Sequence, residues 1–250
     1  VLTAGRQAPL ILVHGAWHDH HCWDAVHALL HARGLELRCP DLPGHGDNDL
    51  PLPKVSSKRY LASLLELLDA APEPVVLLGH SMAGSVVTEA ACQRPDKIRR
   101  LVFLCAYLPR PGESIFDLIV LNRGHEPLCP VELALELSPD KRSCSIDPAQ
   151  VVPLFYNDVA PELAAALAQG LRPQATLPLS AAARFEQAVF EQLDSVYICC
   201  SRDRVIPLHH QQRMLARQPC RQQLLLDCDH SPFHSRPAAL ADLLQELCTC

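Results

Sequence analysis

The 250-residue sequence predicts an α/β fold, a mostly parallel sheet covered by helices on both faces. Short apolar runs bounded by turn residues alternate with longer segments of helical periodicity, which is the pattern of βαβ units. The runs are apolar almost throughout rather than alternating, as strands buried on both faces require. One run ends on a serine in a turn of small residues that opens directly into a helix.

Taken in order, the predicted strands are Leu10 to His14, Leu35 to Cys39, Val75 to His80, Leu101 to Cys105, Val196 to Cys200 and Gln223 to Asp227. Between and after them, Trp23 to Gly34, Ser57 to Ala70 and Pro237 to Cys248 space their apolar positions three and four apart, so each predicts a packing helix. The alternation breaks from Pro109 to Leu193, a stretch rich in Pro and Ala. Helical patterns surround "VELALEL" and "APELAAALAQGL" there without a clear strand, which reads as a helical cap inserted at about 109–193 of one domain spanning 1–250.

Composition narrows the function. A net charge of -6 without a block of like charges argues against a nucleic-acid partner, since phosphate binding needs clustered Lys and Arg. No run reaches the 18 or more apolar residues of a membrane span, and "PLILV" is too short for a signal-peptide core, so a cytoplasmic protein is expected. The sequence begins at Val1 rather than Met, which leaves targeting open. Its 12 cysteines form no CxxC pair and are expected to be reduced. Cys105, Cys199, Cys200 and Cys228 sit in or beside apolar runs as small buried hydrophobes, while Cys248 and Cys250 are expected to be exposed and oxidisable.

"VVLLGHSMAGSVVTEAA" is specific chemistry: a strand runs into Ser81 and a helix follows, the layout of a nucleophile elbow. A serine in so sharp a turn adopts strained dihedrals, so the residues two before and two after it must be small. Gly79 and Ala83 satisfy this, Ala83 standing where a second glycine is usual. An activated serine needs a base, a group orienting that base, and donors for the oxyanion. Asp203 follows the strand ending at Cys200, and His230 follows the one ending at Asp227, so both lie at strand carboxyl ends, where parallel sheets bind ligands. Asp227 and Asp229 stand too near His230 in sequence to orient it, and His234 is its competitor as base. The backbone N–H groups of Met82 and of Ala16, in the loop after the first strand, are the expected oxyanion donors, with Gly15 allowing close approach.

That loop opens "HGAWHDHHCW", His14 to Trp23, whose density of histidines also suggests a metal. A zinc site built on His18, His20 and His21 would need partners from elsewhere and no second cluster stands out, so no metal is expected and the histidines read as lining a helix start or pocket mouth. The "DHHC" within it matches a palmitoyltransferase signature, but the transmembrane helices and cysteine-rich zinc domain of those enzymes have no counterpart here.

On these motifs the chain resembles the plant methylesterase and hydroxynitrile lyase branch of the α/β-hydrolase superfamily, together with its bacterial esterase relatives. "LVHGAWHDHHCW" is similar to the branch's oxyanion loop, "GHSMAGSVV" to its elbow, "RLVFLCAYLPRPGES" to the following strand and "VYICCSRDRVIPLHHQ" to its acid loop. "FYNDVAPELAAALAQGLRPQ" resembles a cap segment, so the likeness covers nearly the whole length. It implies an α/β-hydrolase fold with a six-stranded sheet, Ser81 as nucleophile, Asp203 as acid, His230 as base, Ala16 and Met82 as oxyanion donors, and no cofactor. The lyases of the branch carry a threonine directly after the loop histidine and a lysine directly after the catalytic one. Gly15 and Ser231 occupy those positions here, which favours hydrolysis of a small-molecule ester. A lyase or cofactor-free oxygenase using the same triad, and a hydrolase-like receptor, are the alternatives. A homodimer is left open, and Phe116, Leu118, Phe155, Tyr156 and Leu167 are available to line an apolar pocket.

Overall fold

The computed structural model describes residues 7–122 and 130–249. All six predicted strands form, as β1 (Leu10–Val13), β2 (Leu37–Arg38), β3 (Val75–His80), β4 (Ile98–Leu104), β8 (Ser195–Cys200) and β9 (Gln222–Leu226). They make one sheet in the order β2-β1-β3-β4-β8-β9 with every pairing parallel. The inner strands β1, β3 and β8 are buried along their whole length, as their unbroken apolar runs require. The two edges depart from that expectation: β2 is half to fully exposed, and β9 alternates exposed and half-buried positions, because an edge strand has helices packed on less of its surface.

Side chains leave the sheet alternately on its two faces, and each face builds its own core. Val75, Leu77, Leu101, Phe103 and Tyr197 pack with α2 (Ser57–Ala70) and α3 (Ala83–Gln93). Val76, Leu78, Val102, Leu104, Val196 and Ile198 pack on the other face with α1 (Asp24–Ala32) and α12 (Pro237–Cys248). Each such leucine or valine removed from water contributes about 1.5–3 kcal/mol. The helix α2 spans the predicted residues and starts where Ser56 accepts from the Arg59 N–H, satisfying one of the donors a helix start leaves unpaired. Cys248 is buried on the inner face of α12, which corrects its expected exposure. Cys250 lies outside the described residues.

The interruption expected at about 109–193 falls between β4 and β8, but it is not purely helical. It holds the short helices α4 (Ile115–Ile119), α5 (Pro130–Ala134), α6 (Pro148–Phe155), α7 (Pro161–Ala168), α8 (Leu177–Ser180) and α9 (Gln187–Phe190). With them is a second, antiparallel sheet of β5 (Leu135–Leu137), β6 (Ser143–Ile146) and β7 (Gln174–Ala175). These strands are two to four residues long, too short for a period-two pattern to stand out in the sequence. The insert is fastened to the main sheet's loops by Asp158, whose carboxylate pairs with Arg202 at 2.8 Å and Arg236 at 2.7 Å.

Candidate active site

The strand order reverses direction of growth at β1, whose neighbours are β2 and β3, and ligands of such sheets bind beyond the carboxyl ends at that point. The loops after β1 and β3 meet there. Ser81, directly after β3, has φ +54, a left-handed conformation costing about 1–3 kcal/mol that persists because its surroundings hold it. Its N–H donates to Leu104 O, and its own carbonyl accepts from Gly84 and Tyr107. A Cβ on Gly79 would stand 3.0 Å from the Ala83 backbone and 2.6 Å from Val87, so the small residues expected across this turn are a steric necessity.

Ser81, His230 and Asp203 come together as the sequence predicts. The Ser81 hydroxyl donates to His230 Nε2 at 3.0 Å, and His230 Nδ1–H donates to Asp203 Oδ2 at 2.7 Å. All three are buried. The other carboxylate oxygen of Asp203 accepts from the N–H groups of Val205 at 2.7 Å and Ile206 at 2.8 Å. Gln211, at the start of α10 (Leu208–Arg217), braces that turn by donating to Ile206 O and Cys200 O while accepting from the Cys200 N–H. Nothing in the sequence marked Gln211, because most of its partners are backbone groups brought near by the turn, with the Asp203 carboxylate at 3.4 Å besides.

Asp229 makes no hydrogen bond to the His230 ring. It accepts from Ser231 N–H, the Ser235 hydroxyl and Asp158 N–H, and so ties the loop after β9 to the insert. His234 packs against Tyr156 and Phe233 rather than Ser81, and burial pushes its pKa down to about 4. His80 donates from Nε2 to the His230 carbonyl at 2.9 Å, and burial, reinforced by His230 and His18, holds it well below the ordinary imidazole range.

The loop after β1 presents Ala16. Among the described residues neither the Ala16 N–H nor the Met82 N–H has a protein acceptor, and Met82 begins α3, whose dipole places partial positive charge there. A Cβ on Gly15 would lie 2.8 Å from His80 Nδ1 and 2.9 Å from Ser81 Cβ. A threonine at this position would therefore push against the elbow itself.

The three histidines singled out beyond Gly15 do not converge. His18 is buried and bonds Ala16 O and the Tyr156 hydroxyl, His20 pairs with Asp41 at 2.8 Å, and His21 pairs with Asp24 at 3.1 Å on the surface. Asp19 caps the turn that His20 and His21 open by accepting from His21 N–H, so this half of the stretch does start a helix. His14 donates from Nδ1 to Gly15 O at 2.8 Å and accepts at Nε2 from Leu42 N–H at 3.0 Å. Burial, added to by neighbouring imidazoles, lowers both His14 and His18 to about 3, so both rings stay neutral with one donor and one acceptor. Of the apolar residues available for a pocket, Phe155 stands edge-on to His230, with ring centres 5.5 Å apart, and also meets Trp17 and His18. Phe116, Leu118 and Leu167 pack into the core on the same side of the sheet.

Fold and site together define a hydrolase-type α/β protein with a serine at the elbow. A model of the alpha/beta hydrolase family matches residues 10–243, and the chain belongs to that family. A pyrethroid hydrolase of Sphingobium wenxiniae is 31% identical over 95% of this chain and 86% of its own length. Methylesterase 7 of Arabidopsis thaliana is 29% identical over 98% of each chain. Among solved structures, a pyrethroid hydrolase from Sphingobium faniae aligns with TM-score 0.83 at 28% identity, covering 96% of this chain and 97% of that one. These relatives are esterases and hydrolases by name. Among the described residues no helix is long and apolar enough to cross a membrane.

Proposed function

We propose that the chain is a serine esterase that cleaves small to medium carboxylic esters through an acyl-enzyme. The observation that carries this reading is the unbroken relay from Asp203 through His230 to the Ser81 hydroxyl, at 2.7 and 3.0 Å. In this reading His230 Nε2 takes the Ser81 proton as Oγ attacks the ester carbonyl, and the Ala16 and Met82 N–H groups receive the developing oxyanion. Collapse of the tetrahedral intermediate expels the alcohol, which takes its proton from His230. Water, deprotonated by the same imidazole, then releases the acid. Asp203 keeps Nδ1 protonated and stabilises the imidazolium that forms in each half. Phe155, edge-on to His230, and Trp17 packed against it supply the apolar surface we assign to the ester.

The test is a panel of p-nitrophenyl esters of graded acyl length alongside methyl esters of aromatic acids. We expect turnover of several members, with mass spectrometry finding the acyl group or a fluorophosphonate on Ser81. Cleavage of mandelonitrile is expected to be weak or absent, because Gly15 and Ser231 offer no cation to a departing cyanide. Efficient cyanide release with no ester hydrolysis would overturn the assignment in favour of a lyase. Tight ligand binding with no turnover in either assay would favour a receptor.

A further inference from the structure

Four successive carbonyls of the loop after β1 are each held by a defined donor; one of those donors belongs to the insert and two more are themselves bonded, directly or through Tyr60, to insert side chains. The first, Gly15 O, is held by His14 from within the core. The second, Ala16 O, accepts from His18 Nδ1–H at 2.9 Å, and His18 Nε2 in turn accepts from the hydroxyl of Tyr156, at the end of α6, at 2.9 Å. The third, Trp17 O, accepts from the backbone N–H of Arg172 at 3.1 Å. The fourth, His18 O, accepts from His45 Nδ1–H at 2.8 Å, whose Nε2 accepts from Tyr60, whose hydroxyl accepts from Gln174 of β7. Trp17 itself has φ +64, and its indole N–H reaches back to Cys144 O of β6 at 3.1 Å.

In a trans peptide the N–H points opposite to the C=O, so gripping a carbonyl aims the amide on the other side of the same plane. The grip on Gly15 O aims the Ala16 N–H, and the grip on Ala16 O fixes the next plane, leaving the Ala16 dihedrals no freedom between them. A loop forced through a left-handed residue directly after its key amide would relax without such restraints.

We propose that the insert is part of the catalytic apparatus, with His18 as a positioning residue through which Tyr156 holds the oxyanion-binding Ala16 amide in its working direction. The tautomer follows from the partners: Ala16 O demands a proton on Nδ1, and the Tyr156 hydroxyl supplies one to Nε2, which keeps the ring from donating the wrong way. The inference rests on the serine-esterase reading, since it assigns the Ala16 amide a transition-state role.

The experiment measures the rate of phosphonylation of Ser81 by a fluorophosphonate, the inhibition constant of a trifluoromethyl ketone, and kcat and KM on a p-nitrophenyl ester. They are compared in the wild type, His18→Leu, His18→Asn and Tyr156→Phe. Loss of one full oxyanion donor costs about 10²–10³ in kcat, so a misdirected one should cost about 10- to 100-fold in His18→Leu. Labelling rate and ketone affinity should fall by a similar factor while KM changes less than about threefold. An asparagine amide can donate to Ala16 O as Nδ1 does, so His18→Asn should recover most of the loss. Tyr156→Phe should sit between His18→Asn and His18→Leu. Thermal melts report folding, and the two conservative variants keep the test informative if His18→Leu is unfolded. Unchanged labelling rate and ketone affinity in folded His18→Leu, or in Tyr156→Phe if His18→Leu does not fold, would overturn the inference. So would a loss confined to KM. Failure of the wild type to be labelled at Ser81 would instead overturn the esterase reading beneath it.

Discussion

The loop after β1 and the loop after β9 both carry buried histidines, and their partners set opposite roles for them. His230, in the second loop, lies between a carboxylate and a hydroxyl, so a proton arriving on Nε2 is balanced by Asp203. His14 and His18, in the first, face carbonyls through Nδ1 and accept neutral donors at Nε2. A proton added to either would bring a second donor against a donor, with no carboxylate hydrogen-bonded to the ring. On the proposed function, a buried imidazole serves as a base or a strut according to whether an acid or an amide carbonyl holds it.

The largest expected effect falls on His230. Replacing it with alanine should lower ester turnover by about 10⁴-fold or more, whereas His234→Ala should stay within about tenfold of wild type. The reverse order in steady-state rates would move the base four residues along.

The buried, neutral histidines make a pH prediction of the next largest size. Folded-state values are pushed down to about 3 for His14 and His18 and to about 4 for His210 and His234, by burial first in each case. The unfolded chain titrates near ~6.5, so below that pH it takes up protons that the folded chain refuses. Stability is therefore fully present above about pH 6.5 and is lost as pH falls toward 3–4, at up to about 1.4 kcal/mol per pH unit for each ring. Thermal melts should be flat between pH 7 and 8 and fall steeply from pH 6 to 5. A melting temperature that holds constant down to pH 5 would contradict the neutral-strut reading.

His14→Leu leaves both Gly15 O and the Leu42 N–H buried without their partner. The expected cost is about 2–5 kcal/mol in urea unfolding. A loss under 0.5 kcal/mol would mean that the loop holds its shape unaided.

The smallest effects belong to the exposed end of the same stretch. His20→Ala and His21→Ala, and treatment with a chelator, should leave turnover within about twofold, since these side chains make half-exposed or exposed contacts of low worth to carboxylates. His20, Asp41 and Asp47 do bring ligand atoms within 4.8 Å of one another. Stoichiometric zinc whose removal abolishes activity would give that cluster a function these predictions deny it.

Much of this was determined by sequence alone. Apolar runs at β1, β3 and β8 locate buried strands because a strand covered on both faces must be apolar at every position. The elbow is legible for a similarly local reason, since a strand, a small-residue turn and a helix around Ser81 are contiguous in the chain. Asp203 and His230 could be named as candidates because each follows its strand directly, and the fold brings both to Ser81. Tertiary structure alone decided what joins distant segments. The sheet of β5, β6 and β7 left no periodic trace because its strands are so short, and the burial of Cys248 depended on which face of α12 meets the sheet. The roles of His14, His18, Gln211 and Tyr156 are likewise invisible in one dimension. Their partners are mostly backbone carbonyls and amides, which every residue carries, so no side-chain pattern announces them, and His18 and Tyr156 meet only when the insert folds back across 138 positions of chain.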